Sequence, residues 1–249
     1  MITMLVEKLS RAIARYLSMP LRGYIPTPVT PIKLLEDTLR PGDVLLVEGN
    51  QRISNAIRYL TQSTWSHATL CVAAKTESQP CTLIEADLEH GVVTVPLQNY
   101  AIYHTRICRP VGLDQSDIDA LITFVMQRVG LSYDLKNVFD LLRYLLPLPI
   151  PVRFRRRMLA LGSGDPTRVI CSTLIAQAFQ SIQYPILPHA DDESSENKDA
   201  PRFLRPRHHS LFTPRDFDVS PYFSVVKPSI EHNFQFHNLQ WAQQRQQSH

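Results

Sequence analysis

The sequence predicts an α+β fold, a small antiparallel β-sheet or barrel packed against helices. Strand-like runs at residues 66–74, 81–87, 92–96 and 103–109 follow in close succession, the order of an antiparallel meander or small barrel. Helical periodicity marks residues 50–61, with Ile53, Ile57 and Leu60 on one face, and the stretch after Ser116, with Ile118, Leu121, Ile122, Val125, Met126 and Val129. The chain has 249 residues, 44% of them hydrophobic, and a formal net charge of +3, which suits one large globular domain with extensions or two small ones.

The remaining elements follow in chain order. Residues 1–19 form an amphipathic helix: Leu5, Leu9, Ala12, Ile13, Tyr16 and Leu17 share a stripe opposite Lys8, Arg11 and Arg15. Residues 20–40 are a Pro-rich connection with a short helix at Ile32–Leu39. Pro41-Gly42 turns into the strand Val44–Val47. Ser116 caps the later helix, Asp119 sits in its first turn and Gly130 ends it. A further helix runs from Asp134 to Leu146. Residues 189–210 form a polar surface loop, Phe223–Val226 is the last strand, and the tail beyond is polar and Gln-rich. The organisation is therefore 1–40, helix and connection; 41–227, main domain, with an apolar and basic insertion at 146–165; and 228–249, polar tail.

Cys171 carries the most chemical information. Pro166 and Thr167 suit the start of a helix, and Leu174, Ile175, Ala178 and Phe179 continue one, so Cys171 lies in or beside a first turn. Backbone N–H groups are unpaired there and the macrodipole favours negative charge, which promotes the thiolate. A base is needed, and His67 begins a strand in which His67, Thr69 and Cys71 share one face and Ala68, Leu70 and Val72 the other. The next strand carries Glu85 amid apolar residues. If the two strands are neighbours, Glu85 can orient the imidazole, and Asp87, two positions along the same face, is the alternative.

The series Gly42-Asp43-Val44-Leu45-Leu46, Ser66-His67-Ala68, Ile84-Glu85-Ala86, Tyr133-Asp134 and Cys171-Ser172-Thr173-Leu174 resembles the circularly permuted, NlpC-type branch of the papain-like superfamily, the YiiX/YaeF-like proteins. Thr213–Pro221 resembles a segment near the end of those chains. The resemblance covers roughly residues 40–227, with the histidine and glutamate ahead of the cysteine rather than after it. It implies a permuted papain-like catalytic domain over 41–227. In it Cys171 is the nucleophile, His67 the base and Glu85 the orienting residue, acting on amide or ester bonds. Tyr133 is a candidate substrate-binding residue. The expected substrates are small acyl-amides, peptides or lipids. The alternative is a non-catalytic membrane-associated or interaction protein that keeps the fold.

Other classes find less support. Cys71, Cys81 and Cys108 lie in strand-like runs where buried thiols are common, and no cysteine pair has metal-type spacing. His208-His209 with His189 upstream sits in a polar loop without a supporting carboxylate or thiol pattern, so neither metal nor other cofactor is expected. The small net charge and the lack of aromatic–basic interleaving argue against nucleic acid. Glu7, Lys8, Arg11 and Arg15 interrupt any signal-peptide core, so a cytoplasmic location is expected. Peripheral contact with the inner membrane surface would run through residues 1–19 and 144–159, where greasy, Pro-stiffened sequence joins an arginine cluster.

Overall fold

The computed structural model describes residues 15–21, 23–24, 27–87, 90–131, 170–187 and 207–229. Its centre is a strand with no polar side chain, β1 (Val44–Val47), all four residues of which are buried. Such a run belongs where both sheet faces are covered. β1 pairs antiparallel with β2 (His67–Ala73) on one side and β5 (Thr105–Pro110) on the other. β3 (Thr82–Asp87) and β4 (Gly91–Pro96) extend the sheet beyond β2, and β6 (Phe223–Val226) extends it beyond β5. The six strands run β4-β3-β2-β1-β5-β6 in an open antiparallel sheet, not a closed barrel.

The period of two divides the strands between two cores. Val44, Leu46, Ala68, Leu70, Ile84, Ala86 and Cys108 enter the larger one. There they meet α3 (Gln115–Met126), α4 (Ile170–Ser181) and α5 (Pro214–Val219) through Leu121, Val125, Leu174, Ile175, Phe179 and Phe217. Leu45, Val47, Cys71, Leu83 and Ile107 enter the smaller core on the opposite face. That core is covered by α1 (Ile32–Thr38) and a 3-10 turn, Leu97–Tyr100. The second helix, α2 (Arg52–Thr61), joins β1 to β2.

Two local features fix β1. Gly42 takes φ +89°, which the Pro41-Gly42 turn requires. Asp43, 1% exposed, accepts two hydrogen bonds from Arg109, at 2.8 Å from Nε and 2.7 Å from Nη2, and one from the Arg40 N–H at 2.9 Å. The start of β1 is thereby tied to β5.

The structure corrects two local expectations and adds a third feature. The N-cap of α3 is Asp114, not Ser116: its carboxylate accepts the Asp117 N–H at 2.9 Å, and Asp117 reciprocates to the Asp114 N–H at 3.2 Å. A carboxylate serves the helix dipole better than a hydroxyl, and Ser116 instead donates to Asp114 at 2.6 Å. Val129 lies beyond the end of α3 and is 42% exposed, in a turn where Gly130 bonds back to β4. The third is α5, unforeseen although its signature is present: Thr213 and Asp216 form a capping box, and Pro214 occupies the first turn.

At the N-terminus, residues 15–18 are helical and Leu17 is fully buried. The chain then bonds to the loop after β1, with Leu21 N–H to Asn50 O at 2.8 Å and Arg52 N–H to Met19 O at 3.0 Å. The end of this helix thus packs on the body. Residues 1–14, the 134–146 helix, the 146–165 insertion, most of the 189–210 loop and the tail from 230 lie outside the described residues.

Candidate active site

His67 opens β2, paired with Val47 at the end of β1. The same register explains how it meets Glu85. Leu70 pairs with Ile84, and continuing that antiparallel pattern sets Glu85 opposite Thr69, with His67 on the diagonal of the same face. Diagonal neighbours lie within reach of long side chains. The His67 Nε2 contacts the Glu85 Oε2, with the two side chains 23% and 15% exposed. Asp87 turns elsewhere, accepting the His90 N–H at 2.5 Å and meeting the His90 ring at 2.9 Å.

Cys171 is the second residue of α4, which packs across β2 and β3. It is 4% exposed and shares a small apolar cluster with Ile57 and Ile53 of α2. Its thiol lies close enough to His67 to act on the imidazole. The helix start is anchored by Ser172, whose hydroxyl donates to the Phe212 carbonyl at 2.8 Å. The structure therefore brings Cys171, His67 and Glu85, far apart in sequence, into one neighbourhood. Since Nε2 is committed to Glu85, Nδ1 is the ring atom left to face the thiol.

The electrostatics follow from this neighbourhood. Burial works against a charged His67, but the Cys171 thiolate and the Glu85 carboxylate both favour it, and its pKa is held well above the ordinary value. Burial likewise opposes Glu85 ionisation, but the charge of His67 and hydrogen bonds from His67 and Tyr100 outweigh it, so its pKa falls below the ordinary carboxylate value. The site thus favours an imidazolium beside the Glu85 carboxylate.

Tyr100 was not singled out from the sequence. Its hydroxyl donates to Glu85 Oε2, and its ring stacks on His67, centroids 6.3 Å apart and planes 23° apart. A tyrosine buried to 6% exposure needs a partner for its hydroxyl, but the sequence does not say which. Beside it, the Tyr103 hydroxyl donates to Asn50 Oδ1 at 3.2 Å.

Two surrounding features are supports. The loop from β1 to α2 passes tightly at Gly49, whose N–H donates to Ser66 Oγ at 2.9 Å. A Cβ there would lie 2.5 Å from Ser54 Oγ and 3.1 Å from Ser66 Oγ. The Thr213–Pro221 segment pins the approach to His67. Asp218 accepts from Trp65 Nε1 at 3.0 Å and from Arg106 at 2.7 Å, and the Arg106 guanidinium lies 5.0 Å over the Trp65 ring.

The His208 and His209 rings lie 4.1 Å apart, tilted by 32°, and His208 Nδ1 bonds the Ser210 hydroxyl at 2.8 Å in a 3-10 turn. Among the described residues no group of three or more His, Cys, Asp or Glu could hold a metal ion, and no helix is long and apolar enough to cross a membrane. Tyr133, His189 and the arginine cluster lie outside the described residues.

The family model described as "Permuted papain-like amidase enzyme, YaeF/YiiX" matches residues 38–143, a span that holds His67 and Glu85 and ends before Cys171. Among solved structures, the chain is similar to the metalloprotein YiiX from Escherichia coli, with 17% identity, a TM-score of 0.48, and coverage of 76% of this chain and 96% of that one. No curated protein matches. The resemblance to the permuted papain-like family rests on the match over residues 38–143, which supports a papain-like cysteine hydrolase.

Proposed function

We propose that the chain is a thiol-dependent hydrolase that cleaves amide or ester bonds with Cys171 as nucleophile, His67 as acid and base, and Glu85 as the orienting group. The observation that supports this most is the position of His67, bonded through Nε2 to Glu85 and within electrostatic reach of Cys171. That neighbourhood supports the roles of nucleophile, base and orienting group that covalent acyl transfer requires.

The steps follow from the charges. The Cys171 sulfur attacks the substrate carbonyl carbon while the C=O π pair moves onto oxygen. N–H groups in the first turn of α4, that of Cys171 foremost, receive the oxyanion. The tetrahedral adduct collapses, breaking the bond to the amine or alcohol, which leaves with the His67 proton. Water then attacks the thioester, His67 takes its proton, and the Cys171 thiolate departs. His67 begins and ends the cycle as imidazolium.

The acyl side of the substrate is proposed to be apolar, including lipid acyl groups, because the thiol borders Ile53 and Ile57 on α2. Membrane contact through residues 1–19 and 144–159 is the companion proposal, resting on their greasy and basic composition. The test is to incubate the full chain with short- and long-chain acyl p-nitrophenyl esters and N-acyl amides. The expected result is release of the leaving group, with a transient acyl mass on Cys171 and preference for longer chains. Full activity of Cys171→Ala on a confirmed substrate overturns the assignment.

A further inference from the structure

We propose that Tyr100 is a positioning residue of this site: its hydroxyl holds one oxygen of Glu85 in place and so keeps the carboxylate aimed at the His67 imidazole. The functional consequence rests on the proposed Cys171–His67 chemistry, but the positioning itself does not.

The geometry is specific. Both donors, His67 Nε2 and the Tyr100 hydroxyl, converge on Oε2 of Glu85. A glutamate on a sheet surface has three side-chain torsions, and with 15% of this one exposed, water competes for it. A lone imidazole leaves open which oxygen it meets. A second donor on the same oxygen removes that freedom. There is also a rival cation: His90, in the β3–β4 turn, acts electrostatically on Glu85 while bonded to Asp87.

Tyr100 is itself well held. It ends the 3-10 turn that follows Pro96, beside the fully buried Leu97, and its carbonyl accepts the Tyr103 N–H at 3.1 Å. Its ring lies between His67 and Tyr103, each 6.3 Å away. Burial first, then the Glu85 charge, pushes its hydroxyl well above the ordinary tyrosine value, so it remains a donor wherever the site is active. The groups facing Glu85 are then His67 from β2, Tyr100 and Tyr103 from the turn region, and His90 from the β3–β4 turn. Cys171 acts on both His67 and Tyr100 from α4.

Tyr100→Phe removes the donor and keeps the ring. The full chain, carrying 13C-carboxyl glutamate, is titrated by NMR as wild type and Tyr100→Phe, with Glu85→Gln identifying the signal. Iodoacetamide labelling of Cys171 is followed in the same samples. The expected result is a Glu85 carboxyl that titrates higher in Tyr100→Phe, and Cys171 labelling at about pH 6 slowed by about tenfold, the effect of one lost hydrogen bond to a charged group. A folded Tyr100→Phe with an unmoved Glu85 titration and unchanged labelling overturns the proposal. A second measurement avoids Tyr100 variants altogether: with 13Cζ-tyrosine, Glu85→Gln must bring the Tyr100 hydroxyl down toward its ordinary titration, and an unmoved Tyr100 also overturns it. If His67→Ala leaves Cys171 labelling unaffected, the proposed hydrolase chemistry falls, while the Glu85 and Tyr100 titrations still decide the positioning role.

Discussion

Glu85→Gln should destabilise the protein in a pH-dependent way. The substitution keeps size and shape but removes the charge. The wild-type carboxylate accepts hydrogen bonds from His67 and Tyr100 on one oxygen. Each such bond to a charged group contributes about 1.5–3 kcal/mol, against about 0.5–1.5 kcal/mol for a neutral acceptor, so two of them lose roughly 2 kcal/mol together. The glutamine escapes part of the carboxylate's burial penalty, and the side chains are 23% and 15% exposed, which together reduce the expected loss to about 1–2 kcal/mol.

The pH dependence follows from the direction of each shift. The folded-state pKa of His67 is raised, so its contribution is complete below the ordinary value of 6.5 and is lost as pH rises through the folded value. That of Glu85 is lowered, so its contribution is complete above the ordinary value of 4.5 and is lost as pH falls through the folded value. The difference between wild type and variant should therefore form a plateau from 4.5 to 6.5 and decline on both sides, on the alkaline side only beyond the raised His67 value. Urea unfolding at a series of pH values measures it. A difference that is absent, or constant across the range, refutes the reasoning.

Three further substitutions test the framework around the site. Phe179→Ala empties the larger core, where Phe179 is fully buried and meets Phe223 edge-on at 5.1 Å; it should cost about 3–5 kcal/mol in urea unfolding. Asp218→Asn discharges the acceptor shared by Trp65 and Arg106, and should cost about 1–2 kcal/mol and shift Trp65 fluorescence. Unchanged emission would mean that Asp218 does not hold Trp65. Gly49→Ala forces a methyl against Ser54 and Ser66 and should cost about 1–3 kcal/mol by thermal unfolding.

The parts of the fold that were legible in the sequence were those with a strong local period. The alternation through His67–Val72 gave the right faces because each face of β2 enters a different core. β6 and the helix around Cys171 were equally plain, since apolar residues recur at the spacing those elements need. Sheet closure was not legible: an open sheet and a small barrel share the same strand pattern, and whether the edge strands meet is decided by strand order. The cap of α3 is ambiguous in sequence because Asp114 and Ser116 both carry capping side chains two residues apart.

At the site, the His67–Glu85 contact could be anticipated from two strands with matching faces, but not the choice of Glu85 over Asp87. That choice depends on register and on the turn that engages Asp87 with His90. Tyr100 escaped notice because its role comes from a 3-10 turn that folds it back over β3. Nothing in its local sequence encodes that approach.

The most direct test of the central claim, that Cys171 and His67 form a reactive pair, is the rate of iodoacetamide labelling at Cys171 against pH. Site-resolved mass spectrometry would follow it in wild type and His67→Ala. The account predicts fast labelling at about pH 6 that falls by at least about tenfold without the imidazole. Labelling that is slow at about pH 6 in the wild type and the same in His67→Ala would contradict it.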